Sequence, residues 1–263
     1  MVVLITGATD GLGRALAGAL DDAGHTVLVH GRSEERIAAT LAELGGDARA
    51  YQADLASLDE VDRLAEGVLA GEPRLDALVN NAGIGSDVPG GGARQESADG
   101  IELRFAVNYL AGYRLTRLLF DRLRESAPSR IVNVSSAGQA AIDFGDVMLE
   151  RDYSGVRAYC QSKLAQILFT FDLASEPDGT GVTASCLHPS PYMPTKIVHS
   201  PISSIADGVE ATMRLLTAPA DEVAGRYFNV LREARADPQA YDAGARENLR
   251  ALSEELTTGR TRP

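Results

Sequence analysis

A chain of 263 residues, 44% of them apolar, is long enough for one large α/β domain or two small ones with a sizeable core. Its formal charge of −12 argues against nucleic acid and anionic membrane surfaces as partners. Two cysteines, Cys160 and Cys186, give no disulfide framework and suit a reducing cytoplasm, and no apolar run approaches the roughly 20 residues of a membrane span.

Val2 to Thr6 is a short, continuously apolar run, the pattern of a strand covered on both faces rather than of a signal peptide. Thr6-Gly7-Ala8-Thr9-Asp10-Gly11-Leu12-Gly13 follows, and then a helical pattern through Leu16, Ala19 and Leu20. Strand, glycine turn and helix together describe a phosphate-binding crossover. The glycines let the backbone approach a pyrophosphate, and the helix N-terminus offers free N–H groups. Thr26 to His30 is the second strand, ending at Gly31-Arg32-Ser33. An NAD site places a carboxylate near here for the ribose hydroxyls; this chain has Gly31 and then Arg32. A guanidinium suits a 2′-phosphate, so NADP(H) is expected over NAD(H), against the alternative of a surface arginine at a helix start. Asp10 runs counter to that preference, since a basic residue there would help a phosphate.

A helix is expected over Ser33 to Leu44, a third strand over Ala48 to Ala53 with Asp54-Leu55 at its end, and an amphipathic helix over Ser57 to Ala70. Asp54 is placed to accept from an adenine amino group. Leu75 to Val79 is the fourth strand, closed by Asn80-Asn81-Ala82-Gly83, and Ser86 to Gly92 reads as a surface loop. Glu102 to Leu123 is a long helical pattern carrying Asn108, and Ser129 to Val134 is the fifth strand, leading into Ser135-Ser136. Residues 137–157 show little apolar periodicity. Gly181 to Leu187 is the sixth strand, Ile205 to Leu216 a helix and Arg226 to Val230 a seventh strand; Pro238 to Leu256 is helix-prone without an evident place. The expected fold is one domain over residues 1–263, a doubly wound parallel sheet of about seven strands with helices on both faces.

Tyr159 and Lys163 lie four residues apart at the head of the apolar run Leu164 to Phe169, so both sit on one helix face. A lysine ammonium beside a phenol favours the phenolate and draws its pKa down from about 10, which suits proton transfer near neutral pH. The other lysine, Lys196, also follows a tyrosine, Tyr192, but that pair brackets Pro194 in a run of three prolines and need not share a face. Cys160 has no neighbouring histidine to activate it as a nucleophile.

The glycine turn, Asp54-Leu55, Asn80-Asn81-Ala82-Gly83, Asn108, Ser136, and Tyr159 with Lys163 occur in the order and spacing of the classical short-chain dehydrogenases/reductases, which the chain resembles over nearly its whole length. The gap between Ser136 and Tyr159, and Arg32 after the second strand, look most like the retinol-dehydrogenase-like branch. The resemblance implies an NADP-dependent carbonyl reductase or alcohol dehydrogenase. Tyr159 would be the general acid, Lys163 would lower its pKa and bind the nicotinamide ribose, and Ser136 would hold the substrate oxygen. Asn108 would hold a relay water, with interruption of the helix backbone as its alternative role. It implies a cofactor site at Gly7, Thr9, Asp10, Gly11, Leu12 and Gly13, at Arg32, Asp54 and Leu55, at Asn81, Ala82 and Gly83, and at Tyr159, Lys163 and Thr195. No metal is implied. The family's Pro-Gly after the sixth strand reads His188-Pro189-Ser190 here, and Thr195 stands one residue late. Tyr192 and Met193 either line an apolar pocket or pack the loop, and loops 137–157 and 188–203 are expected to shape the substrate site. Members of the family often pair through two long helices, here those of Asn108 and Tyr159, which leaves a homodimer or homotetramer open. The readings set against catalysis are a non-catalytic NADP(H)-binding sensor or scaffold, which the retained tyrosine and lysine disfavour, and an epimerase or dehydratase, which the glycine spacing and modest length disfavour.

Overall fold

Successive residues of the central strands point to opposite helical layers, and both sets are apolar. In the computed structural model, which describes residues 1–86, 93–176, 179–191, 193–194 and 202–258, the chain runs β1 (Val2–Ile5), α1 (Gly11–Asp22), β2 (Thr26–Gly31), α2 (Glu34–Leu41), β3 (Arg49–Gln52), α3 (Leu58–Gly71) and β4 (Ala77–Asn80). A π-helical turn (Phe105–Leu110) then leads into α4 (Ala111–Glu125), β5 (Ser129–Val134), α5 (Gly155–Ala174), β6 (Val182–His188), α6 (Ile205–Thr217), α7 (Ala220–Val223), β7 (Tyr227–Asn229), β8 (Arg232–Glu233) and α8 (Ala243–Thr258). Val3 and Ile5, Val27 and Val29, and Val132 and Val134 face one layer with Leu12, Leu16 and Leu20 of α1 and Leu215 of α6. Leu4, Leu28, Leu78 and Ile131 alternate into the other with Leu64 of α3, Leu119 of α4 and Leu164 of α5. Burial of strand residues on both faces is what a parallel sheet needs, since its crossovers put helices on each side.

The strand order is β3-β2-β1-β4-β5-β6-β7-β8. β1 through β7 are parallel, and β7–β8 is antiparallel. Strands β1 and β4 are neighbours although five elements separate them in sequence, and the crevice beyond their carboxyl ends is where such a sheet leaves room for a ligand. The sheet therefore has eight strands rather than about seven. The extra one is two exposed polar residues, Arg232 and Glu233, with no apolar pattern to announce it.

The helical stretch expected over Glu102 to Leu123 is helical but not uniform: Asn108 falls within the π-helical turn. The unplaced C-terminal segment becomes α8, which lies against α5. Its Ser253 hydroxyl shares a 2.7 Å hydrogen bond with the Tyr109 hydroxyl, and Arg250 pairs with Asp172 at 3.3 Å. Residues 137–154 form neither helix nor strand. They are fixed by turns in which Asp146 accepts from the amides of Glu150 and Arg151, and by Gln239, which bonds both backbone groups of Ile142. Among the described residues no helix is long and apolar enough to cross a membrane.

Candidate active site

The turn between β1 and α1 is shaped by contacts that leave no room for side chains. Gly7 has φ +67°, a conformation that costs little only for glycine. A Cβ on Gly13 would stand 2.3 Å from the Gly7 carbonyl oxygen and 2.5 Å from the Asn81 amide nitrogen. Thr6 ties this turn to the end of β4: its hydroxyl accepts from the amides of Asn81 (2.9 Å) and Ala82 (3.0 Å), while the Asn81 side chain donates to the Thr6 carbonyl at 2.8 Å. Asp10 caps α1, accepting from Gly11 N–H at 2.9 Å.

His30, at the end of β2, pins the same turn from the other side. Its Nδ1 accepts from the Gly7 amide at 3.1 Å, and its Nε2 donates to the Ala53 carbonyl at 3.1 Å, which fixes the neutral tautomer. Burial pushes its pKa down to about 4, with the Ala53 carbonyl and the Asp54 charge pulling the other way. The unfolded chain takes up this proton below about pH 6.5 and the folded chain does not until about 4. Stability from the neutral imidazole is thus complete above pH 6.5 and is lost as pH falls toward 4, in all about 3 kcal/mol. Urea unfolding near neutrality and near pH 4 should therefore show wild type losing more stability than His30→Gln. Equal losses in the two proteins would refute the buried neutral histidine.

At the end of β2, the residue in the place of an acidic ribose ligand is Gly31. A Cβ there would meet Thr9 Cγ2 at 2.6 Å, so the glycine turn itself excludes a larger residue. Arg32 is exposed, and no hydrogen bond or ion pair engages its guanidinium among the described residues. Arg36 of α2 donates to the Asp10 carboxylate at 2.6 Å and so sets a positive charge against it. Asp54 accepts from the Ala56 amide at 3.0 Å, and Leu55 and Leu12 are buried in the two core layers.

Ser136, Tyr159, Lys163 and Asn108 converge beyond β4 and β5. The Ser136 hydroxyl lies near enough to the Tyr159 phenol to hold its pKa down, and it accepts from the Gly138 amide at 3.0 Å. Its neighbour Ser135 instead donates to the Lys163 carbonyl at 2.7 Å, so of the two serines Ser136 is the one that meets the tyrosine. Gly138 keeps the space beside them open: a Cβ there would lie 3.5 Å from Ser136 Oγ and Cys160 Sγ. Lys163 Nζ sits 5.8 Å from the centre of the Tyr159 ring and donates to the Val134 carbonyl (2.9 Å) and Gln166 Oε1 (3.0 Å). Gly83 faces this group, since its Cβ would fall 3.3 Å from Asn108 Oδ1 and 3.5 Å from Lys163 Nζ. The Asn108 amide is held by both backbone groups of Ile84 and donates to Ser162 Oγ at 2.9 Å.

The electrostatics differ from the expected coupling. Burial pushes the Tyr159 phenol up, partly offset by the nearby Ser136 hydroxyl. Burial also pushes the Lys163 ammonium down to about 7. A lysine that is itself desolvated, with no countercharge among the described residues, does not draw the phenol down. The tyrosine thus keeps its proton at neutral pH, the form in which it donates. Another nearby tyrosine, Tyr153, is committed elsewhere, its hydroxyl held by buried Glu102 and Arg104.

Sequence reasoning did not single out Thr6, His30 or Gln166 for the site. Thr6 stood only as part of the glycine motif, His30 as a strand residue, and Gln166 as one polar residue inside an apolar run. Thr195 and Tyr192 lie outside the described residues. Met193 packs against the core beside Gly208, where an added Cβ would stand 2.6 Å from its sulfur.

Residues 1–203 match the family model described as short chain dehydrogenase. Human retinol dehydrogenase 14 is 37% identical over 96% of this chain and 84% of its own length, and mouse retinol dehydrogenase 13 is 36% identical over 91% and 78%. Among solved structures, an uncharacterized protein from Mycobacterium paratuberculosis is 30% identical with a TM-score of 0.82, covering 98% of this chain and 93% of that one. A 3-ketoacyl-(acyl-carrier-protein) reductase from Brucella melitensis, solved with NADH, is 25% identical with a TM-score of 0.69 over 87% of this chain and 96% of that one. The chain belongs to the short-chain dehydrogenase family and is an oxidoreductase of that family.

Proposed function

We propose that the protein is an NADPH-dependent carbonyl reductase, or in reverse an alcohol dehydrogenase, acting on a ketone, aldehyde or secondary alcohol. The observation that carries this reading is the meeting of Ser136, Tyr159, Lys163 and Asn108 across the crevice from a glycine turn with no room for side chains. The residues present fit a dinucleotide: the Gly7–Gly13 turn would take the diphosphate, Asp54 the adenine, and Lys163 the nicotinamide ribose. When bound, the nicotinamide supplies or accepts the hydride.

Tyr159 acts as general acid, delivering its phenolic proton to the carbonyl oxygen. Ser136 offers that oxygen a second, fixed donor and so favours the charge that develops on it. Asn108 holds the Ile84 backbone beside Lys163 and supports the path by which the proton is replaced. Residues 137–157 and the described part of 188–203 border the substrate, within one domain. The free cysteines Cys160 and Cys186 accord with a cytoplasmic location.

The preference for NADP(H) rests on Arg32, exposed and without a partner among the described residues at the end of β2, and on Arg36, which offsets the Asp10 charge. Arg32→Ala should weaken NADPH binding about 10–100-fold, the worth of one charge-assisted contact, and leave NADH binding little changed. Titration of both nucleotides by fluorescence checks this, and equal losses would refute the 2′-phosphate role. The activity itself is tested by following NADPH oxidation over a panel of aldehydes and ketones. Tight NADPH binding with no turnover on any of them would favour the sensor reading.

A further inference from the structure

Lys163 occupies an unusual place for a cation. It is 5% exposed, and its two nitrogen contacts are neutral oxygens: the Val134 carbonyl of β5 and the side chain of Gln166, one turn further along α5. Gln166 is itself 3% exposed. Among the described residues, the groups facing Nζ from the surrounding elements are Tyr159 on α5, Asn108 in the π-helical turn, the backbone at Gly83, and His188 at the end of β6, whose own pKa is lowered by burial and, less, by the lysine charge. None of these supplies a negative charge at neutral pH.

We infer that Gln166 is a positioning residue for Lys163: its amide oxygen fixes where the lysine nitrogen sits while leaving it without a countercharge. The spacing makes this local, because residues three apart on a helix share a face and an amide of this length reaches the ammonium at 3.0 Å. A carboxylate at the same position would hold the nitrogen more tightly and keep it charged. An apolar side chain would leave the Val134 carbonyl as its only side-on acceptor. Gln166 lies between these extremes: it orients the lysine toward the crevice yet lets it exchange partners and protons. The inference rests on the reading of Lys163 as part of the dehydrogenase site, but its test needs neither cofactor nor turnover.

The chain has only two lysines, Lys163 and Lys196. Protein labelled with carbon-13 at lysine Cε therefore gives two side-chain resonances, assigned through Lys196→Arg. In the cofactor-free wild type, the Lys163 resonance should titrate near about 7. In Gln166→Glu the midpoint should rise by about 1–3 pH units, the effect of an opposite charge in contact. In Gln166→Met it should fall below the wild-type value. Both variants are first checked by near-UV circular dichroism, and either one that folds gives a decisive sign. Midpoints unchanged from wild type, or shifts opposite to those expected, would overturn the inference. Failure here with Tyr159→Phe inactive would leave the proposed function standing. The expected shifts with Tyr159→Phe still active would sustain the inference and overturn the proposed function.

Discussion

Tyr159→Phe should lower kcat/KM for carbonyl reduction about 10²–10⁴-fold, the usual worth of a positioned general acid, while NADPH binds as before. The substitution removes one oxygen. That oxygen is the one whose pKa the Ser136 hydroxyl holds down. The ring stays, so the face that Lys163 overlies at 5.8 Å is preserved and the cofactor side of the crevice is undisturbed. The sign of the pH dependence follows from burial. Since burial raises the Tyr159 pKa, the proton donor is present throughout the neutral range, and wild-type reduction should decline on the alkaline side. Steady-state kinetics with an accepted ketone checks the first expectation, and nucleotide fluorescence checks the second. A variant that keeps its rate would mean the proton comes from elsewhere.

The second large effect lies at the glycine turn. Gly13→Ala would bring a methyl group within 2.3 Å of the Gly7 carbonyl and 2.5 Å of the Asn81 side chain. Both are held: Asn81 by Thr6, and Gly7 by His30. Helix α1 must therefore retreat from the end of β4, at a cost of about 1–3 kcal/mol for overpacking and with loss of the bend that would hold a diphosphate. Gly18, on the same helix, is the control, because nothing stands within 4 Å of its Cβ position. Gly18→Ala should stabilise the fold by about 0.5–1 kcal/mol through helix propensity and leave nucleotide binding intact. Thermal melts and NADPH titrations of the two variants should thus differ in sign. Similar behaviour would show that the turn tolerates a side chain.

Much of this architecture could be read from residue order. Continuous apolar strands, each followed by a turn and an amphipathic helix, specify a covered parallel sheet, and Val2–Ile5 and Thr26–Gly31 formed as such strands. The glycine turn was legible because Gly7 and Gly13 are required by close approach, which leaves a mark in composition. The π-helical turn was not, because Phe105–Leu110 keeps a helical spacing of buried residues while its hydrogen bonds shift by one. Helix α8 had no clear address because its buried stripe is Ala245, Leu249, Ser253 and Thr257, in which Leu249 alone is a large apolar side chain and the apolar signal is weak. The grouping of Ser136, Tyr159, Lys163 and Asn108 could be anticipated from residue order, but its electrostatics could not. The spacing of Tyr159 and Lys163 announces a pair, yet whether the lysine is charged depends on its burial and on Gln166, and neither is visible in a motif.

One measurement bears most directly on the claim that Tyr159 protonates a carbonyl while hydride arrives from a dinucleotide seated on the glycine turn. NADPH deuterated at the transferring nicotinamide carbon is preloaded, mixed with an accepted ketone in a single turnover, and the product alcohol is analysed by mass spectrometry. Wild type should place the deuterium on the carbinol carbon, and Tyr159→Phe, equally loaded with nucleotide, should form that labelled alcohol at least about 100-fold more slowly. Labelled product appearing at the wild-type rate from the phenylalanine variant would contradict the mechanism.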